Sequence, residues 1–180
     1  MLVDRNTPRF LLGSQQLYGP IEDALVREAK DILGRIGPRS REAAGTRQVD
    51  AESFAELARE ELGHYAKRWK RVDRTVEIRD DIASGLMVSR GVLRVGADLS
   101  VPSSRIEALL QHEIGTHVVT FYNGLAQPFQ LLRHGLAGYD ALQEGLAVLA
   151  EYLVDGLSRP RLRLLAARVL AVRNLVLGAC

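Results

Sequence analysis

The stretch Gln111-His112-Glu113-Ile114-Gly115-Thr116-His117 carries two imidazoles and a carboxylate, and it sets an unusual demand on the backbone. Upstream, Ser104-Arg105-Ile106-Glu107 is a capping-box pattern that opens a helix. The spacing predicts that helix to run to about Tyr122, closed by Asn123-Gly124, with the motif in its middle. At about 100° per residue, an i,i+4 pair lies about 40° apart around the axis and an i,i+5 pair about 140° apart. His112 and His117 are five residues apart, so in a regular α-helix they diverge. Binding one ion with both requires a local widening to i→i+5 hydrogen bonding, a rare distortion that concentrates at functional sites. Gly115, between them, is the residue least able to resist it.

A zinc enzyme needs three protein ligands and an open position, and the standard helical pair is H-E-x-x-H. The third ligand is expected to be Glu144, in Gln143-Glu144-Gly145-Leu146-Ala147 at the start of the next helix, with Gly145 giving space for close approach. Two histidines completed by a glutamate from a following helix make a thermolysin-type set. Glu113 is then not a ligand. Its carboxylate is expected to take a proton from the attacking water and pass it to the leaving amine. His134 is a rival third ligand, set among loop glycines. His64 has no ligand-spaced partner and reads as structural. Singly, His117 reads as an ordinary helix histidine and Glu144 as a first-turn carboxylate favoured by the helix dipole. This donor set suits zinc, and it also admits cobalt, iron or manganese.

The chain has 180 residues, enough for one domain with a buried core. A formal charge of +2 and 6% aromatic residues give no case for a nucleic-acid partner. Lys67, Arg68, Lys70, Arg71 and Arg74 cluster, but cations favour a helix C-terminus and solvate its face. One cysteine, Cys180, forms no internal disulfide. The N-terminus has no signal-peptide pattern. The apolar segment 162–180 is interrupted by Arg163, Arg168 and Arg173, so it reads as a buried or partner-facing helix and not a membrane span. These features together read as a cytoplasmic protein. The chain stops in an apolar helical pattern, and it is read as a catalytic domain truncated at its C-terminus.

In order, residues 1–20 read as an irregular arm and 21–36 as an amphipathic helix. Residues 38–48 read as an arginine-rich loop. Residues 50–71 read as a helix capped by Asp50. Residues 75–79 and 85–95 read as strands or a hairpin with a bend at Gly91, and 96–102 as a turn. Asp140 opens a helix to about Val154, and Ser158 and Pro160 start the last one. The fold class is α+β, mainly helical, with a small strand unit beside the motif helix.

The blocks Gln111 to His117, Gly135-Leu136-Ala137-Gly138-Tyr139-Asp140 and Gln143 to Ala147 resemble those of the QEGLA-motif proteins. Their animal members are microtubule-associated tyrosine carboxypeptidases, and bacterial members carry a flavohemoglobin expression-modulating label. The resemblance is strongest from about Gly91 to Tyr152 and extends back through Asn6-Thr7-Pro8 and Leu17-Tyr18-Gly19. It implies a zincin-like metallopeptidase domain, with zinc on His112, His117 and Glu144, Glu113 catalytic, and a peptide or protein C-terminus as substrate. On that reading Met87 to Val95 pairs with substrate backbone as an added strand. A terminal carboxylate calls for an arginine fork, and Arg90, Arg94 and Arg133 are near enough in sequence to supply it. Tyr139 reads equally as a donor to the oxyanion or as a core tyrosine. An aminopeptidase or endopeptidase on the same zinc site is the first alternative. A catalytically silent metal-binding regulatory domain is the second, and the intact Glu113 argues against it.

Overall fold

The computed structural model describes residues 8–38, 47–82, 85–136 and 138–178. The architecture is α+β and mainly helical. Its contacts divide the chain into two units, Glu42–Leu157 and Met1–Arg41 with Ser158–Cys180.

In the first of these, Asp50 starts helix α3 (Ala51–Arg68): its side chain accepts from the Ser53 N–H at 2.9 Å, which satisfies one orphan donor of the first turn. Phe54, Ala55, Ala58 and Leu62 recur at helical spacing and are fully buried. Strand β2 (Val76–Arg79) runs parallel to β4 (Val92–Gly96), and β3 (Leu86–Ser89) pairs antiparallel with β4, giving the order β2-β4-β3. β3 therefore lies at the sheet edge. Leu93 and Val95 of β4 point into the core with Phe54 and Leu62.

The motif helix is built in three pieces. Helix α4 (Ile106–Leu110) leads into a π-helix (Gln111–Val118), which continues as α5 (Val119–Ala126). Ile114 and Val118 of the π-helix are buried in the same core. The widening expected from the histidine spacing is thus present. Thr116 Oγ1 donates to the Gln111 carbonyl five residues back at 3.1 Å, taking up part of the altered backbone pattern.

Helix α6 (Leu131–His134) is a single turn, and α7 (Tyr139–Leu153) follows. It starts after Gly138 with no side-chain cap, and Asp140 lies within its first turn.

Several local expectations are corrected. Helix α4 begins at Ile106 after a 3-10 turn (Ser103–Arg105), with no side-chain cap bond, so the capping box is not formed. Asn123-Gly124 does not stop the helix, because Gly124 packs as a buried helical residue. Residues 96–102 are not only a turn. Ser100–Pro102 forms β5, antiparallel to β1 (Gln48–Asp50), with Val101 opposite Val49. That pairing joins positions about fifty residues apart, which no local pattern reports.

In the second unit, α1 (Pro8–Tyr18) replaces the irregular arm expected there. Pro8 sits at the first helical position, where its missing N–H costs nothing. Helix α2 (Asp23–Arg35) packs antiparallel to α8 (Arg159–Val176). Arg163 donates to the Leu33 and Ile36 carbonyls at the C-terminal end of α2. Arg173 donates to the Ile21 carbonyl at 2.7 Å and pairs with Asp23 at 2.8 Å. Two of the three charges that interrupt the apolar pattern of α8, Arg163 and Arg173, thus hold its partner helix. Ala166 is buried, whereas Leu164, Val172 and Leu175 are exposed, so of the two readings, buried or partner-facing, α8 is not the fully buried one. No helix among the described residues is long and apolar enough to cross a membrane. The Asn6-Thr7 pair, most of the 38–48 loop, Ala137 and Cys180 lie outside the described residues.

Candidate metal centre

The π-turn solves a geometric conflict. Ile114 and Val118 must stay in the core while His112, Glu113 and His117 reach the opposite side, and five residues per hydrogen-bonded turn bring the two histidines back to one side. Their ring centroids are 5.1 Å apart. Helix α7 lies against the π-helix and presents Glu144 to both rings. His112 Nε2 is 3.8 Å from Glu144 Oε2, and His117 Nε2 is 3.7 Å from Glu144 Oε1. One donor atom from each of His112, His117 and Glu144 falls within 4.8 Å of the others. Two imidazoles and a carboxylate converging this closely make a His₂Glu donor set, so the residues fit a metal ion.

The site lies on a cavity of about 530 Å³, walled by the β3 edge, the π-helix and the start of α7. Glu113 and Tyr139 line it beside the three candidate ligands, and so does Arg90. Tyr139 is half-buried. Arg94 is engaged elsewhere, its Nε donating to Glu77 Oε2 on β2 at 2.9 Å. The side chains of Arg133 and His134 lie outside what the structure describes. His64 is exposed on α3, its ring edge-on to Tyr65. Gly145 has open space at the position of an added Cβ, so it does not serve close helix approach. That part falls to Gly156, just after α7, where a Cβ would lie 2.2 Å from the Ala108 Cβ on α4.

Glu151, unremarked in the sequence, is fully buried at the far end of α7. Its Oε1 is 2.8 Å from His112 Nδ1, and its Oε2 accepts from Arg105 Nη2 at 2.7 Å. Arg105 also donates to the Gly156 carbonyl. The available signal was the interval of seven from Glu144, two helical turns along one face of α7.

These neighbours separate the two imidazoles electrostatically. Burial pulls the His112 pKa down, but the hydrogen bond to Glu151 and the carboxylates of Glu113 and Glu144 outweigh it and hold the ring above the usual imidazole value. Burial is also the chief influence on His117. There it prevails, with the His112 charge adding to it, over Glu144 and Gln143, and the pKa falls below the usual value.

Searches among curated proteins and among solved structures gave no match. The family model for microtubule-associated tyrosine carboxypeptidases matches residues 1–180. With that match running the full length of the sequence, the chain belongs to the microtubule-associated tyrosine carboxypeptidase family.

Proposed function

We propose that this chain is a zinc-dependent carboxypeptidase that removes residues from the C-terminus of a peptide or protein. The observation that carries the reading is the approach of one donor atom each from His112, His117 and Glu144 to within 4.8 Å, on the wall of an open cavity. A ligand-bearing helix beside a sheet edge is also what a zincin-like domain would supply. Zinc held by these three residues would polarise the scissile carbonyl and lower the pKa of a water towards about 7.

The remaining roles belong to the chain itself. Glu113 follows His112 directly and lines the cavity. Its carboxylate accepts the proton of the attacking water and delivers it to the departing amine nitrogen as the peptide bond breaks. Tyr139 donates its hydroxyl hydrogen to the oxygen on which negative charge develops. Arg90 receives the terminal carboxylate as a bidentate partner. The β3 edge pairs with substrate backbone. The family name makes a C-terminal tyrosine the first residue to test, and Phe121, Leu132 and Met87 give the cavity apolar wall for a ring.

The test is metal content by mass spectrometry of the purified protein, His117→Ala, Glu144→Ala and Glu113→Gln, each checked for folding by circular dichroism. About one zinc per chain is expected in the wild type and in Glu113→Gln, with marked loss in the two ligand variants. An amino-blocked peptide should be shortened from its C-terminus by the wild type. Glu113→Gln should cut it about 10²–10⁴-fold more slowly, the usual range for general acid–base catalysis. A folded wild type that takes up no added zinc would sink the reading.

A further inference from the structure

We propose that Glu151 is a positioning residue for the metal centre: its buried carboxylate holds the His112 ring with the hydrogen on Nδ1, leaving Nε2 as the donor atom turned towards Glu144. This rests on the metal reading above and adds to it a residue outside the ligand set.

The hydrogen-bond chemistry fixes the direction. Arg105 sits on one oxygen of Glu151 at 2.7 Å and keeps the carboxylate ionised. An ionised carboxylate only accepts. The 2.8 Å contact between Oε1 and His112 Nδ1 therefore requires the hydrogen on Nδ1. The neutral imidazole then carries its lone pair on Nε2, the atom 3.8 Å from Glu144. Without this partner the ring would be free to adopt the other tautomer or to turn.

Packing alone gives no reason for the acid. Glu151 is fully buried on the same face of α7 as Ala147, which is also fully buried. A buried ion pair is often replaced by apolar residues of similar volume without loss of stability. Here the pair is extended by further hydrogen bonds. Arg105 binds the Gly156 carbonyl as well as Glu151, and the Gly156 N–H donates to the Glu151 carbonyl at 2.8 Å. The 3-10 turn before the motif helix and the end of α7 are thus tied to one carboxylate, and that carboxylate is tied to one metal-binding ring. Carboxylate partners of this kind orient ligand histidines, and their loss typically costs 10–100-fold in metal affinity.

Two measurements test the role. The first is zinc affinity, by chelator competition, of wild type and Glu151→Gln, which keeps shape and removes charge. The second is the nitrogen-15 spectrum of the His112 ring in metal-free wild type at alkaline pH, where the ring is neutral. Zinc binding about 10–100-fold weaker in a folded Glu151→Gln, with Nδ1 protonated in the wild type, is the expected result. A merely structural residue would lower stability without changing zinc affinity in the folded protein. Equal zinc affinity in the folded variant, in a wild type that does bind zinc, would overturn this inference and leave the peptidase reading standing. So would a hydrogen found on Nε2, a readout that needs neither the variant nor the metal. A wild type that binds no zinc overturns both.

Discussion

Arg90 occupies the first central position of the two-residue turn between β3 and β4, with φ at 53°, and Gly91 follows at 77°. Two left-handed residues in a hairpin turn suit Asn-Gly, and an arginine there costs about 1–2 kcal/mol of backbone strain. Gly91 suits its place twice over, by its left-handed φ and because a Cβ there would lie 2.4 Å from the Phe121 ring. Arg90 holds the left-handed φ without a glycine's freedom, yet it lines the cavity. Strain held at such a place points to function. Arg90→Asn should therefore act in opposite directions. Thermal unfolding should show a protein more stable by about 1 kcal/mol or less, while kcat/KM on a peptide with a free C-terminus should fall about tenfold to a hundredfold, the loss of a charge-assisted hydrogen bond. Unchanged kcat/KM in the stabilised variant would remove Arg90 from the substrate site. At this scale the sequence was informative wherever chemistry is local. His112, Glu113 and His117 could be read together because their spacing is a statement about one helix. For Glu151 the interval of seven gives only its shared face of α7 with Glu144; its burial and its Arg105 and His112 partners come from tertiary packing.

The π-helix was legible as an element for the same reason: the five-residue interval is incompatible with a shared α-helical face, and Gly115 marks where the turn can open. The capping-box motif failed as a guide because Ser103–Arg105 is drawn into a 3-10 turn that carries Arg105 to Glu151 and Gly156. Strand β5 was missed because its pairing with β1 spans half the domain. What positions the candidate ligands is the contact of α4 and the π-helix with α7, and Gly156 sets how closely they approach. A Cβ there would meet Ala108 Cβ at 2.2 Å and the Glu151 carbonyl at 2.9 Å, neither of them a flexible side-chain end. Gly156→Ala should cost about 1–3 kcal/mol in denaturant unfolding, the range for overpacking. It should also weaken zinc binding in the protein that remains folded, since Glu144 and Glu151 ride on α7 while His112 and His117 do not. Lower stability with unchanged zinc affinity would show that the helices part without disturbing the ligands.

Every candidate ligand, the Glu151–Arg105 pair and the cavity wall belong to the unit Glu42–Leu157. The other unit is held by its own arginine-to-carbonyl bonds between α2 and α8. A ligand that binds only the native site adds RT ln(1 + [L]/Kd), about 2.7 kcal/mol at a hundredfold excess over Kd. That stabilisation acts on the openings that break the site. Amide exchange reports such openings segment by segment. Zinc at a hundred times its Kd should therefore slow exchange by up to about a hundredfold in amides of the π-helix and α7 that exchange through opening of the site. Amides of α2 and α8 whose openings leave the site intact should keep their rates. A chelator should reverse the effect. Unchanged protection in the π-helix and α7 of a zinc-loaded protein would mean that the ion sits elsewhere than on His112, His117 and Glu144. Equal slowing in α2 and α8 would mean that their exchange passes through the same opening that destroys the metal centre.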